Sequence, residues 1–328
     1  MYALRAAIDA RAGVWDAPHR GAWRLMNGFT EGDPTLVVDV YARTLVVHDY
    51  GDVPDRERAA AVVAICRERL PWLAAAVVKL RSEAMADARR GAVVWGAPDR
   101  RIEEHGVRYA VDLLLNQDTS FYLDTRDLRH WLRSQAAGKR VLNAFAYTGS
   151  LGAAARAGGA TEVVQVDRSR RFLNLAKETY TLNGFPIHKP AFVVDDVFRV
   201  AGRMRRVIAA DPSLAYDLVI VDPPPFAETD AGRVALLEDY GALLNKLRPL
   251  VADEGVLVAV NNALFLSGQA YDSVLAAACA DGYLVLEARL AVPADVRGLV
   301  AGHPAWPADP SPYNHPTKIA LLRVRRKI

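Results

Sequence analysis

Residues 141–149, VLNAFAYTG, constrain this chain more than any other stretch. An apolar run ends in a turn of small residues, an Ala-rich helical pattern follows, and a second apolar run at 163–167, VVQVD, ends in an acid. That order opens a parallel βαβ unit of the kind that holds a nucleoside. Downstream the pattern keeps alternating. Strands are predicted at 140–144, 162–166, 190–194, 216–221 and 255–261, each apolar on both faces as a buried parallel sheet requires. Between two of them, Phe172, Leu175, Ala176, Thr179 and Leu182 mark one helix face. Two β-rich runs, 283–292 and 317–324, then succeed one another without a helix, which predicts an antiparallel pair at one edge of a mixed sheet.

Upstream, a different architecture is expected. Leu4, Ile8, Ala12 and Trp15 stand at helical spacing in residues 2–16. Gly28, Gly32 and Pro34 punctuate short strands in 24–39, a β-rich run follows at 45–49, and 55–70 return to a helical period with Ala59, Val62, Val63, Cys66 and Leu70 on one face. Strands are read again at 77–81 and 92–95. The economical parse is a small α+β domain over 1–100, ordered strand, strand, helix, strand, strand. Residues 101–117 read as a hairpin around His105 and Gly106 that bridges to the remaining domain, 118–328, whose first stretch, 118–131, begins with polar residues and continues as a helix with Leu123, Leu128 and Trp131 available for burial.

Length and composition set the limits. With 328 residues and 52% hydrophobic content, two cores are available. A net charge of +3 permits a nucleic-acid partner without requiring one. Cys66 and Cys279 each sit in an Ala/Val-rich helical pattern, so neither a disulfide framework nor a cysteine zinc site is built, and a reducing, cytoplasmic setting is expected. The first sixteen residues carry Arg5, Asp9 and Arg11 and no apolar signal region, and no uncharged run reaches membrane-spanning length, so no membrane partner is expected.

The turn itself narrows the ligand. A pyrophosphate cofactor calls for G-x-G-x-x-G after the first strand, whereas only Gly149 and Gly152 are present, behind a Tyr-Thr pair. What remains is a nucleoside whose ribose meets an acid at the end of the second strand. Asp167 stands roughly twenty residues past the turn, where such an acid bonds a ribose hydroxyl, although an Asp before Arg168 and Ser169 also suits a helix cap. Asp195 and Asp196 end the third strand, as partners for the exocyclic amine of adenine or as plain helix caps. The fourth strand ends in DPPPF, 222–226. Its prolines remove backbone donors and stiffen the loop, which leaves Phe226 as a surface on which a base stacks for about 1–3 kcal/mol. The histidines show no metal-ligand spacing, and no P-loop or nucleophile elbow is present. Arg203, Arg205 and Arg206, Lys139 with Arg140, and residues 323–327 form small basic clusters, each suited to phosphate or to a solvated face.

VLNAFAYTG, VVQVD, Leu182-Asn183-Gly184, Asp195-Asp196-Val197-Phe198 and DPPPF together resemble the class I S-adenosylmethionine-dependent methyltransferases, and within them the bacterial 23S rRNA methyltransferases that include cytosine-C5 and guanine-N7 enzymes. The resemblance covers nearly the whole chain and extends to RLMNGFTEGDPTLVVDVY, IEEHGVRYAVD and FYLDTRD upstream. Members often begin with an RNA-binding PUA domain, and this sequence starts where that domain would end. The fold implied is α/β: a Rossmann-like, mixed seven-stranded methyltransferase sheet with a terminal antiparallel hairpin, preceded by a small α+β domain. By resemblance, Asn143, Phe145, Tyr147, Thr148 and Gly149 lie on the methionine and ribose side of S-adenosyl-L-methionine. Asp167 takes the ribose hydroxyls with Arg168 and Ser169 beside it, and Asp196 and Val197 surround adenine. Phe121, Asp124 and Arg126 lie over the cofactor or the acceptor base, and Asp222, Pro223, Pro224 and Phe226 form the acceptor pocket.

One departure refines the expectation. Cytosine-C5 members carry a cysteine at the end of the fifth strand, because carbon 5 becomes nucleophilic only after a thiolate adds to carbon 6. Here that strand reads VAVNN, 258–262, and the Asn261-Asn262 pair resembles the guanine-N7 branch. N7 has an in-plane lone pair and no proton to lose, so alignment supplies most of the catalysis. The expected function is therefore methyl transfer by direct in-line displacement to RNA, at guanine N7 of 23S rRNA, with Asp222, Pro223, Phe226 and Asn261 as catalytic residues and no metal. Two alternatives stay open at this level: a methyltransferase of a small molecule or protein, and a non-catalytic RNA-binding or ribosome assembly factor that retains a nucleoside pocket.

Overall fold

A computed structural model of the chain describes residues 1–224, 227–229, 232–234, 240–299 and 315–326. It divides into two compact units. The first is Met1–Arg126 with the described part of Pro293–His303, and the second is Asp127–Val292 with the described part of Pro304–Ile328. The 101–117 hairpin and the segment leading to Arg126 therefore fall in the first unit.

In the first unit, α1 (Tyr2–Ala10) precedes β1 (Ala22–Asn27), β2 (Leu36–Tyr41) and β3 (Thr44–Asp49). Then come α2 (Arg56–Arg69), β4 (Ala75–Leu80), α3 (Ala86–Arg89) and β5 (Ala92–Gly96). The stretch 24–39 is split into two strands, so three strands rather than two precede α2. The cause is the turn: Gly28 donates its N–H to Leu36 O at 2.9 Å, and a Cβ at Gly28 would lie 1.9 Å from Asp33 O, a fold-back open only to glycine. The sheet order is β1-β2-β3-β4-β5, with β3 and β4 parallel across the α2 connection and the other pairs antiparallel. Alternation divides its faces. Leu36, Val38, Val40, Leu45, Val47, Ala76 and Val78 form a core with Leu4 and Ile8 of α1 and with Val62 and Cys66 of α2. The opposite face carries buried polar groups. Lys79 donates Nζ to the carbonyls of Arg90, Asn116 and Asp118 at 2.6, 2.9 and 3.2 Å, and Tyr41 donates to Phe121 O at 2.8 Å. Strands β6 (Arg101–Glu104) and β7 (Val107–Ala110) make the expected hairpin, with His105 and Gly106 both at positive φ as a tight primed turn demands.

The helix expected over 118–131 is shorter. It is α4, Arg126–Gln135. Residues 118–125 lie outside it in turns and bends: Ser120 Oγ accepts the Asp112 N–H at 2.7 Å, which ties the segment to the preceding chain, and the Thr119 hydroxyl donates to Phe121 O at 3.0 Å. Arg126 closes the first unit. Its guanidinium bonds both carboxylate oxygens of Asp295 at 2.8 and 3.0 Å, donates to Ala22 O at 2.8 Å, and lies 4.2 Å over the Trp23 ring. Both side chains are buried.

The second unit is the α/β body. After α4 come β8 (Arg140–Asn143), α5 (Ser150–Ala157), β9 (Glu162–Asp167), α6 (Arg170–Leu182) and β10 (Phe192–Val194). These are followed by α7 (Val197–Ala210), β11 (Tyr216–Val221), the short strands β12 (Ala227–Thr229) and β13 (Gly232–Val234), and α8 (Tyr240–Leu247). The chain continues with β14 (Val251–Asn261), α9 (Gly268–Cys279), β15 (Leu284–Leu290) and β16 (Lys318–Val324). The seven-stranded sheet has the order β10-β9-β8-β11-β14-β16-β15, and β16 alone runs against the rest. The edge pair is antiparallel as expected, with β16 inserted between β14 and β15. Leu218, Ile220, Val258 and Val260 face Leu128, Leu132, Leu151 and Ala154 on one side. Val219, Leu257 and Ala259 meet Val200, Leu243, Leu244 and Tyr271 on the other. Each such Val, Leu or Ile side chain contributes about 1.5–3 kcal/mol on burial, which fixes strand register.

Burial would raise the Asp295 carboxyl, but the hydrogen bonds from Arg126 and the Arg24 N–H outweigh it and hold the group below its ordinary value of 3.8. Its stabilisation is thus complete above that value and lost as pH falls through the lower, folded-state value. Arg126→Met leaves Asp295 buried and unpaired and is expected to cost about 3–5 kcal/mol. Urea midpoints at pH 7 test this, and Arg126→Met with Asp295→Leu should recover much of the loss.

Candidate active site

The order of the second sheet places a topological switch between β8 and β11, since the chain runs outward through β9 and β10 and then returns to the other side. In open α/β sheets ligands bind in the crevice at the carboxyl ends of the strands beside such a switch. The predicted residues of this unit stand at those ends. Asn143 ends β8, Asp167 ends β9, Asp195 and Asp196 follow β10, Asp222 follows β11 and Asn261 ends β14.

The turn after β8 is built by its neighbours. Tyr147 and Gly149 both take positive φ, 49° and 76°, so the chain reverses within three residues. Tyr147, which pays for this geometry as a non-glycine, is held by its N–H donating to Asp167 Oδ2 at 2.8 Å and by its ring meeting Phe172 edge-on at 4.6 Å. Gly149 is required for two reasons. Its φ is left-handed, and a Cβ there would lie 2.5 Å from Ala176 Cβ and 2.6 Å from Gln165 Oε1. Gln165 lies just as close to Gly152, and its Oε1 accepts from Asn143 Nδ2 at 3.5 Å. Sequence reasoning passed over Gln165, although a lone polar residue in an apolar strand was its signal. Asn143 is fully buried and its Oδ1 has no protein partner among the described residues. Thr148 is buried, and Phe145 packs on the core.

Asp167 binds the turn from the adjacent strand. Oδ2 takes the Tyr147 N–H, Oδ1 takes the Ser169 N–H at 2.8 Å, and each oxygen keeps a second lone pair. Burial pushes this carboxyl up, and the two N–H bonds oppose that without cancelling it. Ser169 caps α6 through Phe172 N, and Arg168 beside it is exposed. Asp196 caps α7, accepting from Phe198 and Arg199 N–H groups at 2.9 and 3.2 Å, and Val197 is buried in the core. Asp195 bonds Arg203 at 2.7 Å, which holds its carboxyl below the usual range.

Beyond β11, Asp222 is half-buried, Pro223 buried and Pro224 exposed; Phe226 lies outside the described residues. The end of β14 is held from three sides. Tyr240 donates to Val260 O at 2.7 Å, Tyr271 donates to Ala259 O at 3.0 Å, and the buried Lys318, paired in register with Asn261, donates to Ala263 O at 2.9 Å. The tyrosines gave no sequence signal beyond their helical spacing. Asn261 is fully buried. Its Oδ1 accepts the Ala263 N–H at 3.1 Å, which fixes the amide orientation and leaves Nδ2 buried without a protein partner among the described residues. His315 donates its N–H to Leu264 O at 2.9 Å, which ties the chain entering β16 to the same strand end.

Phe121, Asp124 and Arg126 belong to the first unit. Phe121 is buried with its ring tilted on Tyr109 at 5.0 Å, and Arg126 is committed to Asp295. Burial raises both thiols, Cys66 to about 12, so neither presents a ready thiolate. Among the described residues no cluster of His, Cys, Asp and Glu suits a metal, and no helix is long and apolar enough to cross a membrane.

Residues 91–295 match the family model of S-adenosylmethionine-dependent methyltransferases. The chain is 30% identical over 282 residues to ribosomal RNA large subunit methyltransferase I of Erwinia tasmaniensis, covering 85% of this chain and 70% of that protein. It is 31% identical over 273 residues to the protein of the same name from Serratia proteamaculans, covering 81% and 68%. A methyltransferase crystallised with SAH shares the fold at a TM-score of 0.82 and 23% identity, over 98% of this chain and 80% of that one. The switch-point crevice, the acid-braced turn and these matches converge: the chain belongs to the S-adenosylmethionine-dependent methyltransferases.

Proposed function

We propose that this enzyme methylates RNA, at guanine N7 of 23S ribosomal RNA, without a cysteine nucleophile. The observation that carries the reading is the Asn261 amide, a buried donor fixed in orientation at the end of β14, where the sequence has no thiol. The large-subunit rRNA relatives support an RNA acceptor.

The second unit suits the cofactor on its own geometry. Asp167 has lone pairs to spare for two ribose hydroxyls, Asn143 Oδ1 is an acceptor beside the turn with no protein partner among the described residues, and Gly149 lets the backbone pass where a side chain would intrude. Asn143, Phe145, Tyr147, Thr148 and Gly149 would hold the methionine and ribose side. Asp167 with Arg168 and Ser169 would hold the ribose, and Asp196 and Val197 the adenine. When bound, S-adenosylmethionine supplies a methyl group made electrophilic by its sulfonium. Asn261 Nδ2 donates to O6 of the guanine and so orients the N7 lone pair. Pro223 borders the ring, Phe226 is assigned to stacking on it by the sequence alone, and Asp222 complements the positive charge that N7 methylation leaves on the purine. No proton leaves N7, so the site needs no strong base, and positioning carries the rate.

Asp167→Asn removes charge-assisted hydrogen bonds, typically about 1.5–3 kcal/mol each, and should weaken cofactor binding by at least about tenfold in calorimetry. The carboxylate is the binding form and its pKa is raised above 3.8, so wild-type affinity should fall on acidification at a pH above that of an ordinary Asp, and Asp167→Asn should lose this dependence.

Asn261→Ala should lower kcat on RNA by about ten- to a hundredfold with cofactor affinity unchanged, the loss of a hydrogen bond made to a buried partner. Cys279→Ala should leave the rate intact. Quantifying modified nucleosides in rRNA from wild-type and deletion cells should show loss of 7-methylguanosine; loss of 5-methylcytidine, or of nothing, would overturn the assignment.

A further inference from the structure

At the amino ends of the strands of the second unit, away from the switch-point crevice, a cavity of about 460 Å³ is lined by Arg205, Arg248, Arg325, Arg326, Tyr283 and Pro212 among others, with no carboxylate in its lining. The sequence scatters these arginines over α7, the turn after α8 and the end of β16, and the sheet gathers them. Two are held in place. Arg326 donates Nε to Val251 O and Nη2 to Pro249 O, each at 3.0 Å. Arg248 bonds Asp281 at 2.9 Å and lies 4.7 Å over the Tyr283 ring. Arg205 is exposed, and Arg325 stands 60% exposed with Glu254 at 3.8 Å. Four guanidinium groups against Asp281, Glu254 and Asp253, which takes the Arg326 N–H at 2.8 Å, leave an excess of about one positive charge at a concave surface, which concentrates an anion. Guanidinium groups fixed by carbonyls and a ring are preorganised for the paired oxygens of a phosphate. The six residues of β11, at about 3.3 Å each, separate the cavity from Asp222 by about 20 Å, so it lies well outside any pocket for the methyl acceptor.

We propose that this cavity binds a phosphodiester group of the RNA backbone as a second anchor, remote from the base that is methylated. The assignment rests on the RNA reading of the acceptor. The test uses the full chain and Arg205→Gln/Arg325→Gln, both at exposed positions, with Arg205→Lys/Arg325→Lys as the charge-conserving control. Binding of a fluorescently labelled single-stranded RNA of mixed sequence is measured at several KCl concentrations, and cofactor binding by calorimetry confirms that the site is intact. Loss of two phosphate contacts should make the slope of log K against log salt shallower by about 1.4, at about 0.7 per contact, with the lysine variant close to wild type. At 0.1 M salt the glutamine variant should bind RNA about tenfold more weakly, with cofactor affinity unchanged. Equal slopes and affinities would overturn the proposal. So would inorganic phosphate or pyrophosphate binding that is lost in the variant while RNA binding is not, since the cavity would then take a free phosphate. If wild type methylates RNA and the variant matches it in every respect, the anchor fails alone; if wild type neither binds nor methylates RNA, the acceptor reading falls and the anchor with it.

Discussion

The Tyr147 N–H to the Asp167 carboxylate is the bond on which the catalytic unit depends. It ties the turn after β8 to the end of β9, keeps a non-glycine residue at a φ of 49°, and sets the direction in which α5 departs. Burial opposes ionisation of that carboxylate, and only the two N–H groups offset the cost. The strain and the desolvated charge are thus concentrated at the carboxyl ends of β8 and β9, beside the topological switch. At Asp196, Ser169 and Lys318, by contrast, the side chains are engaged by helix caps and a carbonyl bond.

The two units solve different problems with the same means. In the first, buried charge is neutralised locally: Arg126 with Asp295, and Arg11 with Glu31 at 2.8 Å. In the second, the buried Asn261 Nδ2 and Asn143 Oδ1 are among the side-chain atoms left without a protein partner among the described residues. A buried unsatisfied polar group costs about 1–3 kcal/mol, so its place at strand ends beside a topological switch is what a binding site looks like before the ligand supplies the missing partner. The arginines at the opposite ends of the strands extend the same logic to a polyanion.

Much of this was legible in the sequence because buried parallel strands leave unbroken apolar runs. The five predicted strands lie within a few residues of those observed, and so does the antiparallel edge pair. Local polar chemistry was harder to read. The helix read within 118–131 starts only at Arg126, because the Thr119 hydroxyl binds the Phe121 carbonyl and Ser120 Oγ takes the Asp112 N–H, which hold 118–125 outside the helix. Asp196 was open between adenine and a cap; the cap is observed, and an adenine role would have to use its remaining lone pairs. Gln165 shows locally only as a polar residue in an apolar strand, while Lys318 acts through a distant carbonyl and the arginine cavity joins residues more than a hundred positions apart, so no local pattern announces these two.

The most direct measurement is methyl transfer by the purified protein from labelled S-adenosylmethionine to 23S rRNA, with the product nucleosides resolved by mass spectrometry. The geometry at Asn261 leads to label in 7-methylguanosine, undiminished in Cys279→Ala. Label in 5-methylcytidine, or dependence on Cys279, would contradict it.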